Sequence, residues 1–189
     1  MTPRISEAIR QDHIAIQATY QRIVGCTSRD EQIRFQNLFV WELARHAVSE
    51  EIVLYPAFEK HVKHLGADLA QKDREQHQEM KTRLKAFQQL DPENINFIPA
   101  LTALMDDLST HMREEESQDL VMLEQALSRR ESESLSKAFT RTKIFVPSRA
   151  HPHAPNKPPL ETAVGLLTAP FDQVMDLFRK WPHKEQIGV

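Results

Sequence analysis

Four separate segments of this chain each set a histidine into an apolar stripe, a pattern that few folds can accommodate. In the first segment the three-to-four spacing reads Ile5, Ile9, His13, Ile16, Tyr20, and in the second it reads Phe39, Leu43, His46, Glu50, Val53, Ala57. The third gives Leu69, Asp73, His77, Met80, Leu84, Phe87; the fourth gives Leu101, Leu104, Leu108, His111, Glu115, with Met122 after a gap. Residues spaced this way share one face of an α-helix, and an apolar face is a buried one. Each segment therefore carries an imidazole into the core, and three of them add a carboxylate one helical turn away. A single interior histidine is ordinarily a hydrogen-bonded core residue. Four of them with Glu50, Asp73 and Glu115 exceed what chance pairing would satisfy, because a buried carboxylate is costly unless it is paired or metal-bound.

Breakers set the ends of the segments. The first runs from about Ile5 to Val24 and stops at Gly25-Cys26-Thr27-Ser28. The second starts near Asp30, should kink at Pro56, and reaches about Leu65, with Gly66 in the left-handed position that ends a helix. The third covers Ala67 to Leu90 and is stopped by Asp91-Pro92-Glu93-Asn94; the fourth covers Phe97 to Leu127, with Pro99 tolerated in its first turn. Only four glycines among 189 residues, with abundant Glu, Gln, Lys, Arg, Leu and Ala, favour helix throughout. Short connections between long helices make neighbours antiparallel, which predicts an all-α, up-down-up-down four-helix bundle.

A fifth helix is expected over about Arg130 to Thr142. Five prolines in the thirteen residues from Pro147 to Pro159 then impose an extended stretch, followed by two short amphipathic pieces near Leu160–Leu167 and Pro170–Arg179. Their apolar positions Val164, Leu167, Phe171, Val174 and Phe178 predict that the tail docks on the bundle. The expected division is a helical bundle over residues 1–145 and an extension over residues 146–189.

Charge narrows the partners. A net charge of −3 with no basic stripe argues against nucleic acid. The single cysteine, Cys26, cannot form an internal disulfide and reads as an inert turn residue; with no signal-peptide core at Met1–Ile9 and no bilayer-length apolar run, the expectation is a cytoplasmic protein off the membrane.

Height along the bundle tests whether the polar residues meet. From Asn94, His77 lies seventeen residues back and His111 seventeen residues forward, so the two should be level. From Thr27, His13 is fourteen back and His46 nineteen forward, a mismatch of about a turn that loop geometry can absorb. Within His46-x-x-x-Glu50 and His111-x-x-x-Glu115 the paired side chains differ by about 40° around the helix, so both reach one point. Two such pairs with His13 and His77 suit two cations about 3.5–4 Å apart, the carboxylates bridging and the imidazoles terminal. Mixed imidazole and carboxylate donors without thiolate suit iron or manganese better than structural zinc.

Asp12-His13, His46-x-x-x-Glu50-Glu51 with Leu54-Tyr55-Pro56 downstream, His77, and His111-x-x-x-Glu115-Glu116 together resemble the hemerythrin HHE cation-binding domain over about residues 4–127. Arg141-Thr142-Lys143 and the proline-rich tail are similar to fungal members of that family. The resemblance implies a non-haem di-iron centre, with metal ligands at His13, His46, Glu50, Asp73, His77, His111 and Glu115. It implies two Fe ions as cofactor, and handling of dioxygen, peroxide or nitric oxide, or iron sensing. One departure stands out. Oxygen carriers of the family have His-x-x-x-His on the third helix, where this chain has Asp73-x-x-x-His77; an anion there should favour ferric iron and weaken reversible oxygen carriage. The alternative is an enzyme of oxidative or biosynthetic metabolism that uses the bundle pocket for an organic substrate, with the metal catalytic or only structural.

Other polar residues have plainer readings. His61 and His64 suit the C-terminal end of the second helix. His151 and His153 suit a solvated loop. Tyr55 lies off the Glu50 stripe and reads as packing. In the run Glu114-Glu115-Glu116 only Glu115 has the interior phase, which leaves its neighbours to solvent.

Overall fold

A computed structural model describes residues 2–154 and 160–187, with backbone only at 160–167, 184 and 187. Every regular element among the described residues is helical. The bundle consists of four rods. The first is α1 (Ile5–Gly25); the second joins α2 (Arg29–Ser49), a π turn (Glu50–Leu54) and α3 (Tyr55–His61). The third is α4 (Gly66–Phe87), and the fourth joins α5 (Phe97–Glu114), a second π turn (Glu115–Asp119) and α6 (Leu120–Ala126). Consecutive rods pack side by side, as short connections require. A fifth helix, α7 (Arg129–Phe145), begins at a capping box in which Ser128 and Glu131 satisfy each other's backbone N–H groups, and lies across α1, α2 and the first π turn. The extension holds α8 (Leu160–Asp176) and α9 (Lys184–Ile187). No helix among the described residues is long and apolar enough to cross a membrane.

Two apolar clusters fill the bundle. One gathers Ile16, Phe39, Leu43, Met80, Leu84, Phe97, Leu104 and Leu108; the other gathers Ile5, Ile9, Leu54, Phe58, Ala70, Leu120, Leu123 and Phe139. On each rod the polar residues fall between the two clusters: His13 between Ile9 and Ile16, His46 and Glu50 between Leu43 and Leu54, Asp73 and His77 between Ala70 and Met80, His111 and Glu115 between Leu108 and Leu120. The result is one polar layer with apolar packing above and below. The height mismatch of the first helix pair is absorbed as expected.

The π turns alter the phase downstream. Each contains an i→i+5 bond, Tyr55 N–H to Glu50 O and Leu120 N–H to Glu115 O, and so uses one residue more than an α turn. In place of the expected Val53 and Met122, which are only partly buried, Leu54, Tyr55, Leu120 and Leu123 reach the core. Pro56 follows directly on the π turn at the start of α3 and does not end the rod.

Gly66 does not take the left-handed position; His64 does, at φ 65°. Gly66 opens α4 instead, and is required by close approach: a Cβ there would lie 2.0 Å from Phe58 O.

The tail packs differently from its apolar pattern. The two short pieces form one helix that continues through the exposed Pro170, where water can replace the forfeited hydrogen bond. The side chains of Val164 and Leu167 lie outside the described residues, while Phe171, Val174 and Phe178 face solvent, with Phe178 81% exposed. The inward face carries Asp172 and Asp176. Asp176 accepts from Ser148 Oγ and from Arg149 Nη2, both at 2.6 Å, and Asp172 pairs with His151 Nε2 at 2.9 Å, so His151 is a partner of the tail rather than a solvated residue. Pairing the buried Arg149 fixes the rotation of α8, and the apolar positions follow it outward. Beyond α8, Trp181 packs edge-on to Trp41, and the Trp181 carbonyl accepts from Arg34 Nη1 at 2.8 Å.

Candidate metal centre

All seven candidate residues lie in the polar layer, none more than 2% exposed. His13 comes from α1, His46 and Glu50 from the second rod, Asp73 and His77 from α4, and His111 and Glu115 from the fourth. One donor atom each from His13, His46 and Glu50 falls within 4.8 Å of the others, and the same holds for Glu50, His77 and His111. Glu50 is common to both groups. Its Oε1 lies 3.1 Å from His46 Nε2 and its Oε2 3.4 Å from His77 Nε2. Glu115 Oε2 stands 3.4 Å from His13 Nε2, and the Nε2 atoms of His77 and His111 face each other at 3.1 Å.

The outer nitrogens are held by four residues around the layer. His13 Nδ1 donates to Glu116 Oε1 at 2.6 Å, and His111 Nδ1 donates to Gln76 Oε1 at 2.8 Å. His46 Nδ1 faces Asp12 Oδ2 at 3.4 Å, and His77 Nδ1 faces Glu51 Oε1 at 3.3 Å. Asp12 is fixed by Lys143 from α7, and Glu51 by Lys81. Such partners orient the rings, as imidazoles that ligate metals are held, and leave Nε2 of His13 and His46 without a hydrogen-bond partner. Glu116 is therefore not a solvated acid, as the helical phase suggested, but a support for His13. Glu114 does remain outside, paired with Lys72.

Electrostatics point the same way. Burial alone would neutralise these acids, and it pushes Asp73 up to about 8 and Glu50 well above the carboxylate range, each reinforced by the charge on Glu115. Burial opposes charge on Glu115 too, yet the His13 imidazole 3.4 Å away and the His111 field hold it down at about 2. Desolvation depresses His46 to about 4 and His111 to about 3. Both oxygens of Glu50, Asp73 and Glu115, with Nε2 of His13 and His46, lack a hydrogen-bond partner. Buried oxygens and lone pairs left this way fit cations at the centre of the layer, and the donor types fit iron.

Sequence phase missed two inward residues. Tyr55 is fully buried with its hydroxyl 2.9 Å from His77 Nε2, and Asp119, 2% exposed with Oδ2 unpartnered, is pushed up to about 6 by burial. Both follow the start of a π turn, which shifts the phase of a count at 3.6 residues per turn, although Ala57 beyond the first one is buried as expected.

The Hemerythrin HHE cation binding domain matches residues 4–123. An uncharacterized hemerythrin-like protein of Schizosaccharomyces pombe is 50% identical over 179 residues, 95% of this chain and 88% of the relative. No solved structure matches the chain. With the histidine and glutamate clusters of its polar layer able to hold metal, this chain belongs to the hemerythrin HHE cation-binding family.

Proposed function

We propose that the polar layer binds two non-haem iron ions and that the protein uses them to react with, or sense, dioxygen, nitric oxide or peroxide. The observation that supports this most is the pair of donor groups sharing Glu50, in which both Glu50 oxygens and the Nε2 atoms of His13 and His46 have no hydrogen-bond partner. In this reading Glu50, Glu115 and Asp73 would supply the carboxylates that hold the iron, and His13, His46, His77 and His111 the imidazoles. An iron pair held here supplies one-electron redox chemistry toward small oxidants. The surrounding residues orient the imidazole rings, exclude water with the two apolar clusters, and would bias the oxidation state through Asp73. An anion at that position favours ferric iron over reversible oxygen carriage, which makes sensing or consumption the preferred role.

Elemental analysis after anaerobic ferrous loading, with Mössbauer spectra, tests the reading. About two irons per chain in a coupled pair is the expected result; at most one metal of any kind overturns it.

A further inference from the structure

An apolar pocket lies beside the polar layer, between α2, α4 and the C-terminal extension. Ala44 and Ala47 line one side, Met80 another, and Ala150 and Ala154 of the extension form the outer wall; His77 closes the inner end. Small side chains on facing walls leave space between them. Two cationic side chains, Lys81 and Arg149, and the imidazole of His151 border it. Each is already engaged by a carboxylate: Lys81 by Glu51, Arg149 by Asp176 at 2.6 Å, His151 by Asp172 at 2.9 Å.

We infer that this pocket is the access route by which a small neutral apolar molecule of diatomic size, dioxygen or nitric oxide in class, reaches the centre, and that the extension is a functional wall of that route. Passage through an apolar wall strips a solute of its water. A diatomic gas loses almost nothing, whereas an anion or a peroxide forfeits hydrogen bonds that these walls do not replace. The neutralised cations give an anion no compensating attraction. His77 is the candidate ligand that lines the pocket, and its Nε2 faces both Glu50 and His111, so the route would join the donor group of those three residues at this ring. The inference rests on the di-iron reading above and narrows its ligand to a neutral gas.

The test uses xenon as an inert probe of the metal-loaded full chain. Crystals pressurised with xenon are expected to show it between Ala47 and Ala150, and Ala47→Phe or Ala150→Phe, from opposite walls, should each abolish that occupancy. In the iron-loaded protein the same variants should slow nitric oxide association at least about tenfold with iron content unchanged. Xenon bound only elsewhere, or an unchanged association rate in both folded variants, overturns the access route. Iron analysis is scored separately: a chain that takes xenon but no iron refutes the di-iron reading, and one that holds two irons without xenon refutes the route.

Discussion

Glu50 and Glu115 each open a five-residue π turn, and each stands four residues after a buried histidine. The two differ in what they reach. Glu50 touches both donor groups, through His46 and His77, while Glu115 faces His13. Glu50→Ala is therefore expected to lose nearly all bound metal, and Glu115→Ala to keep more of it at saturating iron. Elemental analysis of the two variants decides this; equal retention would contradict Glu50 as the shared ligand.

The support of His13 gives a second expectation. Glu116→Ala removes the acceptor that holds Nδ1, 2.6 Å away, and frees the ring to rotate or change tautomer. Metal affinity should fall by about 10- to 100-fold with stoichiometry preserved at high metal. Competition with a chelator measures it, and wild-type affinity would make the contact incidental.

Stability of the metal-free protein should fall as pH rises from 6.5 to 8. Burial raises Asp73 to about 8 and Glu42 to about 7, so the folded state holds protons that the unfolded chain has released above its ordinary carboxylate pKa. Stability from a raised pKa is complete below the unfolded value and is lost as pH climbs through the folded one. His46 and His111 are depressed to about 4 and about 3, so their contribution is lost only below pH 6.5 and does not oppose the trend in this window. The fall is about 1.4 kcal/mol per pH unit for each group that titrates fully. Asp73→Asn should flatten it. Thermal melts at the two pH values check this, and a higher melting temperature at pH 8 in metal-free wild type would contradict it.

Gly66→Ala places a Cβ 2.0 Å from Phe58 O, a backbone atom that cannot swing aside. A loss of about 3 kcal/mol is expected, read by denaturant unfolding. An unchanged midpoint would mean that α3 and α4 separate at little cost.

The extension should depend on one acid. Asp176→Ala leaves Arg149, 5% exposed, without its carboxylate and removes the acceptor of Ser148. Breaking a buried pair from one side costs about 3–5 kcal/mol. The melting temperature should fall, and Asp176→Asn should recover part of it. Wild-type melting in both variants would show that α8 contributes nothing to the fold.

Counting along the chain is enough to obtain the helical class, the four rods and the residues of the polar layer. All three rest on a 3.6-residue period that holds along the first and third rods, and on the second and fourth until Glu50 and Glu115, so His13, His46, Glu50, Asp73, His77, His111 and Glu115 could all be assigned inward from spacing. The side-chain phase beyond each π turn needed the folded chain. One extra residue in a turn shifts the phase of the side chains after it, and no residue type announces it, so Tyr55 turned inward against the count. The supports are likewise contacts between rods: Asp12 with His46, Gln76 with His111, and Glu116 with His13 lie 34, 35 and 103 residues apart. Tertiary packing also chose the face that α8 presents. A buried Arg149 must be paired, and that requirement outweighed the burial of Phe171 and Phe178, because an unpaired charge in the core costs more than an exposed phenyl ring.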